Sequence, residues 1–96
     1  MVLSRKKIES VINRIDVITD ISSHQVTFTD FDSDTVTILE LKGDSLVVND
    51  RTLCKEIKKV KFELDDTKKE QNVFYWECEL QSGKWVGGAK KLRKRQ

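Results

Sequence analysis

The chain reads as mainly β, strictly α+β, and three observations carry that reading. Val73 to Leu80 alternates strictly, with Phe74, Trp76, Cys78 and Leu80 on one face and Val73, Tyr75, Glu77 and Glu79 on the other, as a half-buried strand requires. Between Val17 and Val86, short runs rich in Val, Ile, Thr and Phe are broken by Ser, Asp, Asn and Gly at hairpin spacing. Residues 4–16 show helical periodicity, and although Leu53, Ile57 and Val60 also fit a helical turn, no second helix is long enough to make a parallel crossover.

The helix is expected from Ile8, Val11, Ile12 and Ile15, at i, i+3, i+4 and i+7, with Ser4 as N-cap. Its apolar residues are β-branched and its cations lie near the positive end of the macrodipole, so it depends on docking. Strands are expected next at 17–21, 26–31 and 35–41. In the third, Val36 and Ile38 share one face while Leu39 and Leu41 share the other, a phase slip between Ile38 and Leu39 that a bulge, or a strand that changes which side it buries as the sheet curls, would produce. Lys42-Gly43-Asp44 turns the chain into a strand at 46–48, and Asn49-Asp50, a pair tolerant of positive φ, closes a tight hairpin. Residues 51–58 read as irregular or extended, running into a strand from about Lys59 to Asp65. Residues 65–71 form a solvated turn before the Val73 strand. Ser82-Gly83 then leads to a brief closing strand at 84–86, and Gly87-Gly88 releases the C-terminal residues. Five to seven short antiparallel strands with one helix predict a meander curled into a small SH3-, Sm- or OB-like barrel or half-barrel. The expected organisation is one compact domain over residues 1–88 and a flexible basic tail over 89–96.

The 96 residues suffice for one modest core. Charged residues make up 35% against an ordinary ~25%, yet the apolar pattern is ordered throughout, which argues against wholesale disorder. No run reaches the ~18 apolar residues of a membrane helix and no signal-peptide core follows Met1, so the expectation is a soluble, unsecreted, cytoplasmic protein, or a nuclear one in a eukaryote. Cys54 and Cys78 are too few for a disulfide framework and are expected as free thiols, Cys78 packing as a small hydrophobe.

The net charge of +2 conceals segregation: +3 over residues 1–15, −7 over 16–50, +4 over 51–61, −4 over 62–83 and +6 over 84–96. A basic surface therefore has to be assembled from Arg5, Lys6, Lys7, Arg51, the Lys55 to Lys61 strip and the C-terminal cations. Ala89 to Gln96, with five cations and no acid, suits phosphate contact through counterion release; it also fits a solubilising terminus or a nuclear-localisation-like run. Tyr75 and Trp85 would stack on bases if exposed, although a core position is the commoner fate of such a Trp.

Catalytic and metal signatures are lacking. The Asp30-x-Asp32-x-Asp34 run has Thr35 where a calcium loop needs Gly and Leu41 where it needs Glu, so residues 29–34 read as a solvated hairpin tip. His24 stands alone, the cysteines form no CxxC, and no phosphate-binding glycine loop occurs. No cofactor, metal or enzymatic activity is expected. The leading functional expectation is a small non-catalytic nucleic-acid-binding module, RNA ahead of DNA, using Lys55, Lys58, Lys59, Lys61, Tyr75, Trp85, Lys90, Lys91, Arg93, Lys94 and Arg95. The alternative is a protein-binding adaptor or inhibitor, such as a phage or mobile-element protein that occludes a larger target. Open sheet edges leave room for a homo-oligomer in either case.

Overall fold

A computed structural model describes residues 2–30, 34–67 and 69–93. Among the described residues one helix, α1 (Val2–Ile12), precedes eight strands: β1 (Ile15–Ile21), β2 (Gln25–Asp30), β3 (Val36–Lys42), β4 (Ser45–Val48), β5 (Arg51–Cys54), β6 (Ile57–Asp65), β7 (Gln71–Leu80) and β8 (Trp85–Arg93). Every pairing is antiparallel and sequential. The strands form two sheets, β1-β2-β3-β4-β5 and β6-β7-β8, in place of the single curled meander expected, and no closed barrel results.

The division falls at Lys55-Glu56. Glu56 adopts a left-handed φ of 63°, unusual for a residue with a Cβ, and this corner carries the chain from one sheet to the other. Two backbone hydrogen bonds tie the two parts, Ile57 N–H donating to the Asp44 carbonyl at 2.9 Å and Phe62 N–H to that of Ser23 at 3.0 Å, while Gln81 N–H, donating to the Glu56 carbonyl at 2.8 Å, extends the β6–β7 pairing to the corner. Residues 51–54, expected as an irregular or extended piece, are extended and pair with β4 as a short edge strand.

α1 buries Ile8 and Ile12, with Val11 packed beside them. It ends four residues short of the expected boundary, because Asn13 and Arg14 form a turn and Ile15 opens β1. Ile15 still reaches the core, but from a strand, as suits the β-branched run IDVITDI. The Lys90 ammonium donates to the Asn13 carbonyl and so caps the helix end across the fold.

Asn49 and Asp50 have φ of 48° and 69°, the mirror-image hairpin that the sequence predicts, and Gly43 (62°) and Gly83 (90°) supply the other left-handed turn positions. Of the two expected sources of the Ile38/Leu39 slip, a bulge is absent: β2 and β3 pair without a shift from Gln25↔Glu40 to Thr29↔Val36. The inward face of β3 runs through Thr37, Leu39 and Leu41, and Val36 is half exposed on the outer face, so the apparent slip marks apolar residues on both faces of one regular strand. Irregularities lie in β1 and between β4 and β5, where they interrupt the sheet's two edges.

One core spans the helix and both sheets. Phe74, Trp76, Cys78 and Leu80 of β7 meet Val26, Phe28, Leu39 and Leu46 of the five-stranded sheet, with Ile57 and Phe62 of β6 and Leu92 of β8. The Phe62 and Phe74 rings are tilted by 30° with centroids 5.8 Å apart. Val73, assigned to the wet face by alternation, is also buried.

β8 departs most from expectation. It runs through Gly87-Gly88 and on to Arg93, so a tail does not begin at Ala89. A Cβ on Gly87 would lie 2.7 Å from the Trp76 carbonyl oxygen, and one on Gly88 3.0 Å from its indole nitrogen. The glycines are where β8 approaches Trp76 closely, and they do not form a hinge. Lys94, Arg95 and Gln96 lie outside the described residues, as do Phe31, Asp32 and Ser33 of the expected hairpin tip.

Candidate nucleic-acid interface

The outer face of the three-stranded sheet is set by register. Across it, Lys59↔Glu79↔Trp85, Lys61↔Glu77↔Gly87, Glu63↔Tyr75↔Ala89 and Asp65↔Val73↔Lys91 form four successive rows. Trp85 is 53% exposed and Tyr75 42%; the core position expected for Trp85 is corrected, since its place opposite Glu79 turns the indole outward. The two aromatics stand two rows apart, about 14 Å along the strands at ~3.4 Å per residue, with only Gly87 and Ala89 between them on β8.

Five of the residues expected to contact nucleic acid share this face: Lys59, Lys61, Tyr75, Trp85 and Lys91. Lys55 lies exposed at the corner between sheets, and the exposed Lys58 sits at the β6 bulge, 3.9 Å from Glu79. Lys90 points inward to the helix end, and partial burial lowers its pKa, opposed by the nearby Asp16. Arg93 pairs with Gln71 at the end of β8, while Lys94 and Arg95 lie beyond the described residues.

Acids interleave with these cations. Lys61 meets Glu63 at 3.0 Å, and that hydrogen bond raises the lysine's pKa. Lys59 and Lys91 enter no ion pair with the described residues. The face thus offers two stacking rings and two uncommitted ammonium groups among partly neutralised charge.

A second feature lies at the end of the five-stranded sheet. Val11, Phe28 and Val48 floor an open cleft of about 320 Å³, and Arg14, Arg51 and Thr37 stand at its rim. Asp30, expected in a solvated tip, is 7% exposed, and Arg14 donates to its Oδ2 from Nε at 2.6 Å and from Nη2. Asn49 shapes the wall: its Oδ1 accepts from Ile38 N–H at 2.8 Å. No spacing in the sequence brings Arg14 and Arg51 together; the only local signal is that Arg51 directly follows the Asn49-Asp50 hairpin.

Cys54 and Cys78 are buried free thiols. Burial raises both pKa values, that of Cys78 to about 12. Among the described residues no group of three His, Cys, Asp or Glu side chains could hold a metal ion, and no helix is long and apolar enough to cross a membrane. No protein-family model, curated protein or solved structure matches the chain.

Proposed function

We propose that this chain is a non-catalytic nucleic-acid-binding module that holds single strands, RNA ahead of DNA, on the outer face of its three-stranded sheet. The observation that carries this reading is the exposure of Tyr75 and Trp85 on that face beside Lys59 and Lys91. Base–aromatic stacking tolerates any sequence and contributes about 1–3 kcal/mol per base, and flat sheet faces present such rings to splayed strands. The phosphate contacts come from Lys59 and Lys91, because Lys61 and Lys58 face Glu63 and Glu79. Affinity for a short oligonucleotide, read by fluorescence anisotropy, should fall with rising salt. Absence of a salt-sensitive change with any RNA or DNA at low ionic strength would refute the proposal.

A second reading rests on the same face. Exposed aromatics flanked by alternating Lys and Glu suit a protein partner, where rings anchor and rim charges set register. One stoichiometric partner, captured after nuclease treatment and lost on Trp85→Ala, would favour an adaptor or inhibitor.

A further inference from the structure

The cleft at the end of the five-stranded sheet serves no purpose in nucleic-acid contact by the opposite sheet, and its charge runs against its surroundings. Residues 15–54 carry eight acids and only two cations, Lys42 and Arg51. Lys42 is committed, with Asp50 at 2.7 Å and Glu40 at 3.3 Å. Arg51 is exposed on the cleft rim and enters no ion pair with the described residues. A cation with no ion pair among the described residues, in the most acidic part of the chain and lining a concave surface, is the arrangement an anion would complete.

Arg14 supplies the second half. Asp30 occupies the guanidinium edge formed by Nε and Nη2, which fixes the plane of the group and leaves the edge formed by Nη1 and Nη2 unused by that contact. Among the described lining residues Arg14 offsets Asp30, and the charge of Arg51 remains in excess. Arg14 comes just after the C-terminal end of α1, whose partial negative charge would disfavour an anion, but the Lys90 ammonium on the Asn13 carbonyl counters it. Two guanidiniums with the hydroxyl of Thr37 bring more donors to the cleft than a carboxylate's two oxygens need. The apolar floor of Val11, Phe28 and Val48 leaves room for a small organic body, since ~300 Å³ is the lower end of ligand-site volumes.

We infer that this cleft is a phosphate site that takes a small phosphate monoester, with Arg51 as the principal charge contact and Arg14, set by Asp30, as its bidentate partner. The inference is independent of oligonucleotide binding, because its probes are small and its readout is local to the cleft. In a ¹H–¹⁵N NMR titration of the full chain, inorganic phosphate and a nucleoside 5′-monophosphate should each produce saturable shifts at the amides of Thr37, Val48 and Arg51. Tighter binding of the nucleotide would identify an organic monoester as the preferred source, and equal binding would assign the site to free phosphate. Arg51→Gln should weaken both at least tenfold, and Arg51→Lys, which keeps the charge and loses the fork, by less. Thr37→Val gives a second variant that leaves every ion pair intact and should weaken binding severalfold. Shifts scattered over the surface, shifts unchanged in Arg51→Gln and Thr37→Val alike, or acetate binding as tightly as phosphate would overturn the assignment.

Discussion

The two sheets share one core and present opposite surfaces. Residues 15–54, which build the five-stranded sheet, carry a net charge of −6 from eight acids and two cations, whereas residues 57–93, which build the three-stranded sheet, carry +3 from nine cations and six acids. Residues 2–12 of the helix add +2, and α1 contacts both β5 and β8. The strands differ in the same way. β4 and β5 are four residues long, while β6, β7 and β8 have nine, ten and nine and pair almost without interruption. The short, irregular sheet lines the cleft together with Val11 and Arg14; the long, regular one sets rings and charges in rows. Packing therefore treats the chain as one unit, and electrostatics divides it in two.

That contrast would break first in the core. Trp76→Ala should cost about 3–5 kcal/mol and Leu39→Ala about 2–5 kcal/mol, both in one cooperative transition, because their side chains belong to one buried cluster. Two separate transitions in calorimetry or denaturant melts would show that the sheets are independent units. Gly87→Ala should cost roughly 1–3 kcal/mol, since its Cβ meets Trp76 backbone and β8 has to shift; a neutral result would mean that β8 sits less tightly on β7 than the register requires.

Surface changes sharpen the comparison further. Trp85→Ala should alter stability by less than about 0.5 kcal/mol but weaken oligonucleotide binding by about 1–3 kcal/mol, whereas Val36→Ala, at the 52%-exposed apolar residue of the other sheet, should leave binding unchanged. Equal losses at the two sites would undo the assignment to one face. Lys91→Gln should lower the slope of log affinity against log salt by roughly 0.7, the share of one phosphate contact on a single strand. Lys42→Gln, which removes a cation already committed to Glu40 and Asp50, should leave that slope as it is.

The smallest effect concerns the two thiols, one contributed by each sheet to the shared core. Burial raises the pKa of Cys78 from 9.0 to about 12, so the folded state favours the neutral thiol. The contribution to stability is complete below pH 9.0 and is lost as pH rises towards about 12. Alkylation at pH 8 should spare Cys78 in the native protein and modify it in denaturant; rapid native labelling would place it outside the core.

Much of the fold was legible because its signals are local. The alternation from Phe74 to Leu80, the φ tolerance of Asn49-Asp50 and the apolar spacing of Ile8, Val11 and Ile12 each depend on neighbours in the chain, and each appears as expected. The errors arose where a residue's role is set by a distant partner. Gly87-Gly88 resembles a hinge until Trp76 lies against it, and Asp30 resembles part of a solvated tip until Arg14, sixteen residues earlier, covers it. Trp85 gives no sign in the sequence of which face it will take, because one residue of register decides it. Of the expected contacts, Lys59, Lys61, Tyr75, Trp85 and Lys91 converge on one face only because β6, β7 and β8 pair in that register.

By itself the sequence determined the class of the fold, its turns, its principal buried strand and the alternation of charge along the chain, since all of these arise from residue periodicity and local backbone preference. Only the tertiary structure decided that the strands divide at Glu56 into an acidic and a basic sheet, that β8 continues past the glycines, and that Arg14 and Arg51 meet over one cleft. Those outcomes depend on contacts between residues far apart in the chain, which local pattern does not encode.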